Sequence, residues 1–224
     1  MSSSVPANIP YMLELIAKNL FSKMDFSKVD FKAIVVEGKP MPLPNLKILD
    51  VGCGFGKWGF LIRDTFEVMT GQNFNKEDWK IDVTGIEVFP KCITSIQEAL
   101  YDKIIRKDVF ESFDELERYD LILIGDMIEH IDKDKAHELL SKLFEYSDNI
   151  LVSTPLGFMS QGAWAGNEYE IHKSGWILED FKDYKVVESK VLDDTLFADI
   201  IKQIPDIPEE MKQSIQLLVL WLKK

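Results

Sequence analysis

Three glycines at alternate positions, Gly52, Gly54 and Gly56, follow Asp50 in the run Ile48-Leu49-Asp50-Val51-Gly52-Cys53-Gly54-Phe55-Gly56. Glycine reaches positive φ and carries no Cβ, so this spacing makes a sharp turn whose backbone a ligand can approach. Farther along, Glu87, Asp108 and Asp126 each stand at or near the end of a short apolar run. A carboxylate at a strand end can accept both hydroxyls of a ribose. A glycine turn with such a carboxylate across from it is the chemistry of a nucleoside-bearing ligand. Groups that move protons near neutral pH are few: the histidines are His130, His137 and His172. His172 lies in a long loop and is the better candidate for a general base, with His130, at a helix start, as the second. His137 falls in the middle of a helix and is expected to be solvated. No nucleophile, base and acid fall in a triad pattern.

These residues need a scaffold that brings strand ends together. Residues 46–51 read as a buried parallel strand, and residues from 58 to about 66 or 68 as the helix after the glycine turn. Residues 81–89 form a second strand with Glu87 at its tip, and 90–99 a helix. Residues 101–110 hold a short strand ending at Asp108. Residues 119–126 are the most apolar strand, 133–144 a helix, and 149–155 a fifth strand. Residues 156–174 make a long connection rich in aromatic and amide side chains, a length that usually carries function. A helix starts at 176–181, a sixth strand covers 184–189, and an amphipathic stretch covers 195–204. Residues 214–222 read as a last, reversed strand, with a final helix as the alternative. Near the start, residues 10–20 carry apolar side chains at 12, 13, 15, 16 and 20, an amphipathic helix with Pro10 at its start. The expected fold is α/β, a doubly wound, mostly parallel seven-stranded sheet with a reversed last strand and helices on both faces. Residues 1–44 are read as a helical arm and 45–224 as the main domain.

Composition narrows the partners. The chain of 224 residues has a formal net charge of −12. Such a balance disfavours phosphate backbones and anionic lipid surfaces. Two cysteines, Cys53 and Cys92, are too few for a disulfide framework or a cysteine zinc site. No apolar run approaches the ~20 residues of a membrane span, and no secretory signal is recognised at the start, so a cytoplasmic protein is expected.

Which nucleoside ligand is bound is the sharper question. Gly54-x-Gly56-x-x-Gly59 fits a dinucleotide fingerprint, so a nicotinamide-dependent reductase is one reading. No Gly-Lys-Ser/Thr follows the glycines, so a nucleoside-triphosphate loop is not. Asp50, two residues before the first glycine, tips the balance. The string Asp50-Val51-Gly52-Cys53-Gly54-Phe55-Gly56 resembles motif I of the class I S-adenosylmethionine-dependent methyltransferases, and the segment 154–176 resembles a loop of a bacterial and archaeal subgroup of that family.

The resemblance implies that Gly52, Cys53, Gly54 and Gly56 pass under the cofactor and that Asp50 helps to hold its charged amino-acid end. It implies Glu87, with Val88 beside it, on the ribose, and Asp108 with the backbone of Val109 at the adenine. Asp126, where the chain leaves the fourth strand, is implied nearest the sulfonium and the acceptor. The expected reaction is methyl transfer to a small-molecule or glycan acceptor, as O-methylation, with no nucleic acid or membrane expected as a partner. One alternative is a catalytically silent cofactor-binding module. Another follows from Asp126, Glu129, His130 and His172, which resemble the metal site of small-RNA 3′-terminal 2′-O-methyltransferases. Asp126 stands there in place of a glutamate, and the acidic surface suits RNA poorly, so no metal is expected.

Overall fold

A computed structural model of the chain describes residues 6–71, 75–163, 166–194 and 215–224. The amphipathic stretch expected at 195–204 lies outside the described residues, as does Trp164 of the long loop. Seven strands form one sheet in the order β3-β2-β1-β4-β5-β7-β6. They are β1 (Leu46–Val51), β2 (Ile81–Ile86), β3 (Lys103–Ile105), β4 (Leu121–Gly125), β5 (Asn149–Pro155), β6 (Lys185–Asp194) and β7 (Ile215–Lys223). β1 pairs in parallel with β2 on one side and β4 on the other, so the winding reverses beside β1. Ligands of such sheets bind outside the carboxyl ends of the strands at that reversal. β7 runs antiparallel to both β5 and β6, which settles the last segment as a strand.

Helices cover both faces. On one side lie α1 (Ile9–Phe21) and α3 (Lys57–Ile62), the latter continued by a π-helical turn, Arg63–Val68. Met12, Leu15, Ile16 and Leu20 of α1 are fully buried against this face of the sheet. Each such side chain contributes about 1.5–3 kcal/mol of transfer free energy, which ties the N-terminal helix to the core. On the other face α5 (Lys133–Leu143) packs Ala136, Leu139, Leu140 and Leu143 against β4, β5, Trp176 and Phe181.

Several elements differ from the sequence reading. The helix expected at 90–99 is broken into a 3-10 turn, Pro90–Cys92, and α4 (Ser95–Leu100). Thr94 is extended and caps α4 in a reciprocal box with Gln97, so the helix can start only after it. β3 ends at Ile105, short of Asp108, which instead caps the 3-10 turn Val109–Glu111 by accepting the Phe110 N–H at 2.9 Å. The helix expected from 176 is one 3-10 turn, Leu178–Phe181. An extra helix, α2 (Phe31–Glu37), lies between Asp30, which caps it through the Ala33 N–H, and Gly38 at φ 67°. His137 is half-buried, its ring 5.2 Å from that of Trp176 and its Nδ1 3.0 Å from the Tyr184 hydroxyl, so it is a packing residue and not a solvated one.

Candidate functional site

The turn after β1 is shaped by its glycines and by what grips them. Gly52, Gly54 and Gly56 all have positive φ, at 75°, 50° and 90°. The N–H groups of Gly52 and Cys53 both reach the Ile86 carbonyl at 2.9 Å, which seats the turn on the end of β2. At Gly52 a Cβ would stand 2.6 Å from Cγ of Met127, so nothing larger fits between the turn and the exit of β4. Gly52→Ala is therefore expected to lose about 1–3 kcal/mol of stability by overpacking and to weaken cofactor binding at least about tenfold by moving the turn. A melting temperature and an affinity unchanged from wild type would contradict this reading of the turn.

Glu87 follows β2 and faces the turn. One carboxylate oxygen accepts the Gly54 N–H at 2.9 Å and the other the Phe89 N–H at 2.7 Å. Burial pushes its carboxyl above the ordinary range, and the two backbone N–H groups counter that. Behind the turn, Gln97 of α4 donates from Nε2 to the Gly54 carbonyl at 2.8 Å. The Tyr101 hydroxyl donates to Asp50 at 2.6 Å and accepts the Gly59 N–H at 3.0 Å. Asp50 is fully buried, its other oxygen has no hydrogen-bond partner among the described residues, and burial raises its carboxyl to about 7. Cys53 is also buried, and desolvation raises its thiol.

At the exit of β4 the backbone of Asp126 sits at φ 51°, the single non-glycine residue with positive φ among those described. Backbone conformations of this kind collect at functional sites because they need support from their surroundings. Here the support is local: the Asp126 N–H reaches the Ser153 carbonyl at 2.7 Å, and its carboxylate accepts from the Ser153 hydroxyl at 2.7 Å. Asn8, buried at the start of α1, donates to Ser153 at 2.7 Å and to Asp126 at 3.3 Å. Beyond it, Glu129 is 2% exposed and accepts from the Thr154 hydroxyl at 3.0 Å. The rings of His130 and His172 stand 4.8 Å apart, edge to face.

These elements enclose a cavity of about 450 Å³ at the carboxyl ends of β1, β2 and β4. Gly52, Gly54, Glu87, Val88, Asp108, Val109, Asp126 and His130 line it, while Asp50, Cys53, Gly56 and His172 stand behind the wall. The sequence reading thus brings together the turn, the strand-end carboxylates and one imidazole. It missed Phe55 and Phe110, half-exposed aromatic rings on the wall, and the braces Gln97, Tyr101, Asn8 and Ser153. The braces lack a local signal, since Asn8 meets its partners 118 and 145 residues away in the chain. The residues suit an adenosyl ligand: a turn of three glycines at positive φ with no room for a Cβ at Gly52, a carboxylate opposite it, and two aromatic rings on the same wall as Asp108.

A family profile described as a methyltransferase domain matches residues 12–182. No curated protein matches the chain. Among solved structures the chain is similar to a SAM-dependent methyltransferase from Archaeoglobus fulgidus, at 17% identity over 80% of this chain and 86% of that one, with a TM-score of 0.52. It is similar to the cyclopropane synthase MmaA2 from Mycobacterium tuberculosis, at 12% identity over 81% and 79%, with a TM-score of 0.53. It is also similar to magnesium protoporphyrin IX methyltransferase from Synechocystis, solved with SAM bound, at 13% identity over 97% and 80%, with a TM-score of 0.50. Identities this low speak for the fold, and the profile match speaks for the family. The chain belongs to the methyltransferase-domain family, and its sheet order places it among the class I, Rossmann-like methyltransferases that use S-adenosylmethionine.

Proposed function

We propose that this methyltransferase transfers a methyl group to a hydroxyl of a small-molecule or glycan acceptor by in-line displacement. The cofactor supplies a methyl carbon on a sulfonium, which is both electrophile and leaving group. The protein's task is then to align and to keep water out, and positioning of that kind supplies roughly 7–11 kcal/mol of a barrier. Glu87 receives the ribose, the turn at 52–56 the methionyl part, and Asp108 with the Val109 backbone the adenine. Asp50 acts from behind the turn, through its charge and through Tyr101.

The observation that carries the acceptor reading is the far wall of the cavity. Asn167, Tyr169, Glu170 and Lys173 of the long loop face it together with His130 and Lys135. Such a wall offers hydrogen bonds of both senses and one aromatic ring, which suits a polar, hydroxyl-rich acceptor better than an apolar one. The net charge of −12 argues against a nucleic-acid acceptor. Tritiated S-adenosylmethionine, offered with panels of sugars, phenols, carboxylic acids, amines and RNA, tests this. Label is expected on sugars or phenols, in a form that survives mild alkali, as an ether does and a methyl ester does not. Label confined to amines, carboxylates or RNA would overturn the acceptor class.

A further inference from the structure

Beside the proposed acceptor end, one ligand-capable atom from each of Glu129, His130 and His172 lies within 4.8 Å of the other two. Glu129 and His130 come from the 3-10 turn after β4, and His172 from the segment after β5. The two segments are locked together, since the N–H groups of Lys173 and Ser174 both reach the Glu129 carbonyl, at 2.8 and 3.0 Å.

The neighbours of each ring fix where its hydrogen sits. His130 Nδ1 faces the Ile171 carbonyl at 3.4 Å, and His172 Nδ1 faces the Met159 carbonyl at 2.6 Å. A carbonyl only accepts, so both Nδ1 atoms carry the hydrogen of the neutral ring and both Nε2 atoms are left with a lone pair. His130 Nε2 is buried and has no hydrogen-bond partner among the described residues. Glu129 adds a carboxylate that accepts from the Thr154 hydroxyl at 3.0 Å. A buried ring nitrogen that no hydrogen bond satisfies thus stands in one cluster with a second imidazole and a carboxylate, and leaving such a nitrogen unsatisfied costs about 1–3 kcal/mol. A cation removes that cost. An imidazole that gives Nδ1–H to a carbonyl and presents Nε2 is also how metal-binding histidines are oriented.

We propose that Glu129, His130 and His172 form a binding site for one divalent transition-metal ion, open toward the acceptor end of the cavity. Two imidazoles and one carboxylate suit Zn²⁺, Co²⁺, Fe²⁺ or Mn²⁺, whereas Mg²⁺ and Ca²⁺ favour oxygen sets. Bonds of about 2.0–2.2 Å set neighbouring ligand atoms roughly 3.0–3.5 Å apart, so the trio closes by about 1–2 Å around the ion. Three protein ligands leave a coordination position free, and His130, on the cavity wall, sets the site beside the proposed acceptor end. Asp126 stays outside the set, held by Ser153 and Asn8. The site departs from the metal-free expectation drawn from the sequence.

One consequence rests on the hydroxyl acceptor proposed above. An ion there binds the acceptor oxygen and lowers its pKa. The hydroxyl proton leaves to solvent, the oxygen–carbon bond forms as the carbon–sulfur bond breaks, and the bonding pair stays on sulfur as a neutral thioether.

Dialysis of the chelator-treated full chain against Zn²⁺ and Co²⁺ separates the two claims. We expect about one ion per chain, ligand-field absorption from bound Co²⁺, and a Co²⁺ affinity at least about tenfold weaker in His172→Ala and in Glu129→Gln. His137→Ala, outside the site, binds Co²⁺ as wild type does. Wild-type protein that takes up no stoichiometric ion, or His172→Ala that binds Co²⁺ as tightly as wild type, overturns the site. Circular dichroism checks the fold of His172→Ala, and if it fails to fold Glu129→Gln is read in its place. Stoichiometric Co²⁺ binding with methyl transfer to amines alone would retain the metal site and sink the hydroxyl reading.

Discussion

Replacing Glu87 with alanine is expected to weaken S-adenosylhomocysteine binding about 100-fold while the protein stays folded. The carboxylate stands at the tip of β2, facing the glycine turn on the wall of the cavity. A hydrogen bond to a charged acceptor contributes about 1.5–3 kcal/mol, so losing a pair to the ribose costs about 3 kcal/mol or more, which is roughly two decades of affinity. The same side chain holds the Gly54 and Phe89 N–H groups, so the turn also loosens. Glu87→Gln keeps one acceptor oxygen, and a loss nearer tenfold is expected. Calorimetry on both variants decides it. Affinities within threefold of wild type would mean that the ribose is held elsewhere.

The second large effect concerns stability against pH. Asp50 is fully buried, and its carboxyl is raised to about 7 by desolvation, against a partial correction from the Tyr101 hydroxyl. In the unfolded chain it titrates near 3.9. Between these values the folded protein holds a proton that the unfolded chain has lost. Stability contributed by this group therefore falls as pH rises from about 4 to about 7, by a total of about 4 kcal/mol, and is level on either side. In a domain of this size that is a shift of about 10 °C in melting temperature. Asp50→Asn removes the titration, so the variant gains on wild type steadily across that window. The cofactor is cationic and favours the ionised carboxylate, so wild type releases a proton on binding at pH 6 and Asp50→Asn does not. Parallel melting curves of the two proteins from pH 4 to 8 would contradict the buried protonated carboxyl.

The position of Asp50 also marks how far the sequence carries. The order of strands, the glycine turn and the strand-end carboxylates were legible because each rests on a local pattern: apolar runs, alternate glycines, and an acidic residue where a run stops. The same pattern placed Glu87, Asp108 and Asp126 on one cavity. It could not tell which way a side chain points from a strand end. Asp50 turns away from the cavity to Tyr101, and Tyr101 had no reason to be singled out until α4 and β3 were seen to deliver it. The helix at 90–99 was misread because a cap at Thr94 depends on one extended residue inside a run that otherwise looks helical. His172 looked the better base because it lay in a long loop. The fold sets it behind His130, where two imidazoles and a carboxylate meet across a separation of some 40 residues. Convergence of that kind is a property of the tertiary structure and leaves no period in the chain.

Among the described residues no helix is long and apolar enough to cross a membrane. The whole account turns on what occupies the cavity at the head of β1, β2 and β4. Isothermal titration of the purified chain with S-adenosylhomocysteine, and separately with NADH, tests this most directly. We expect one saturable site for the adenosyl thioether and no heat from the dinucleotide. Saturable NADH binding, or none of the thioether at concentrations that saturate other methyltransferases, would contradict it.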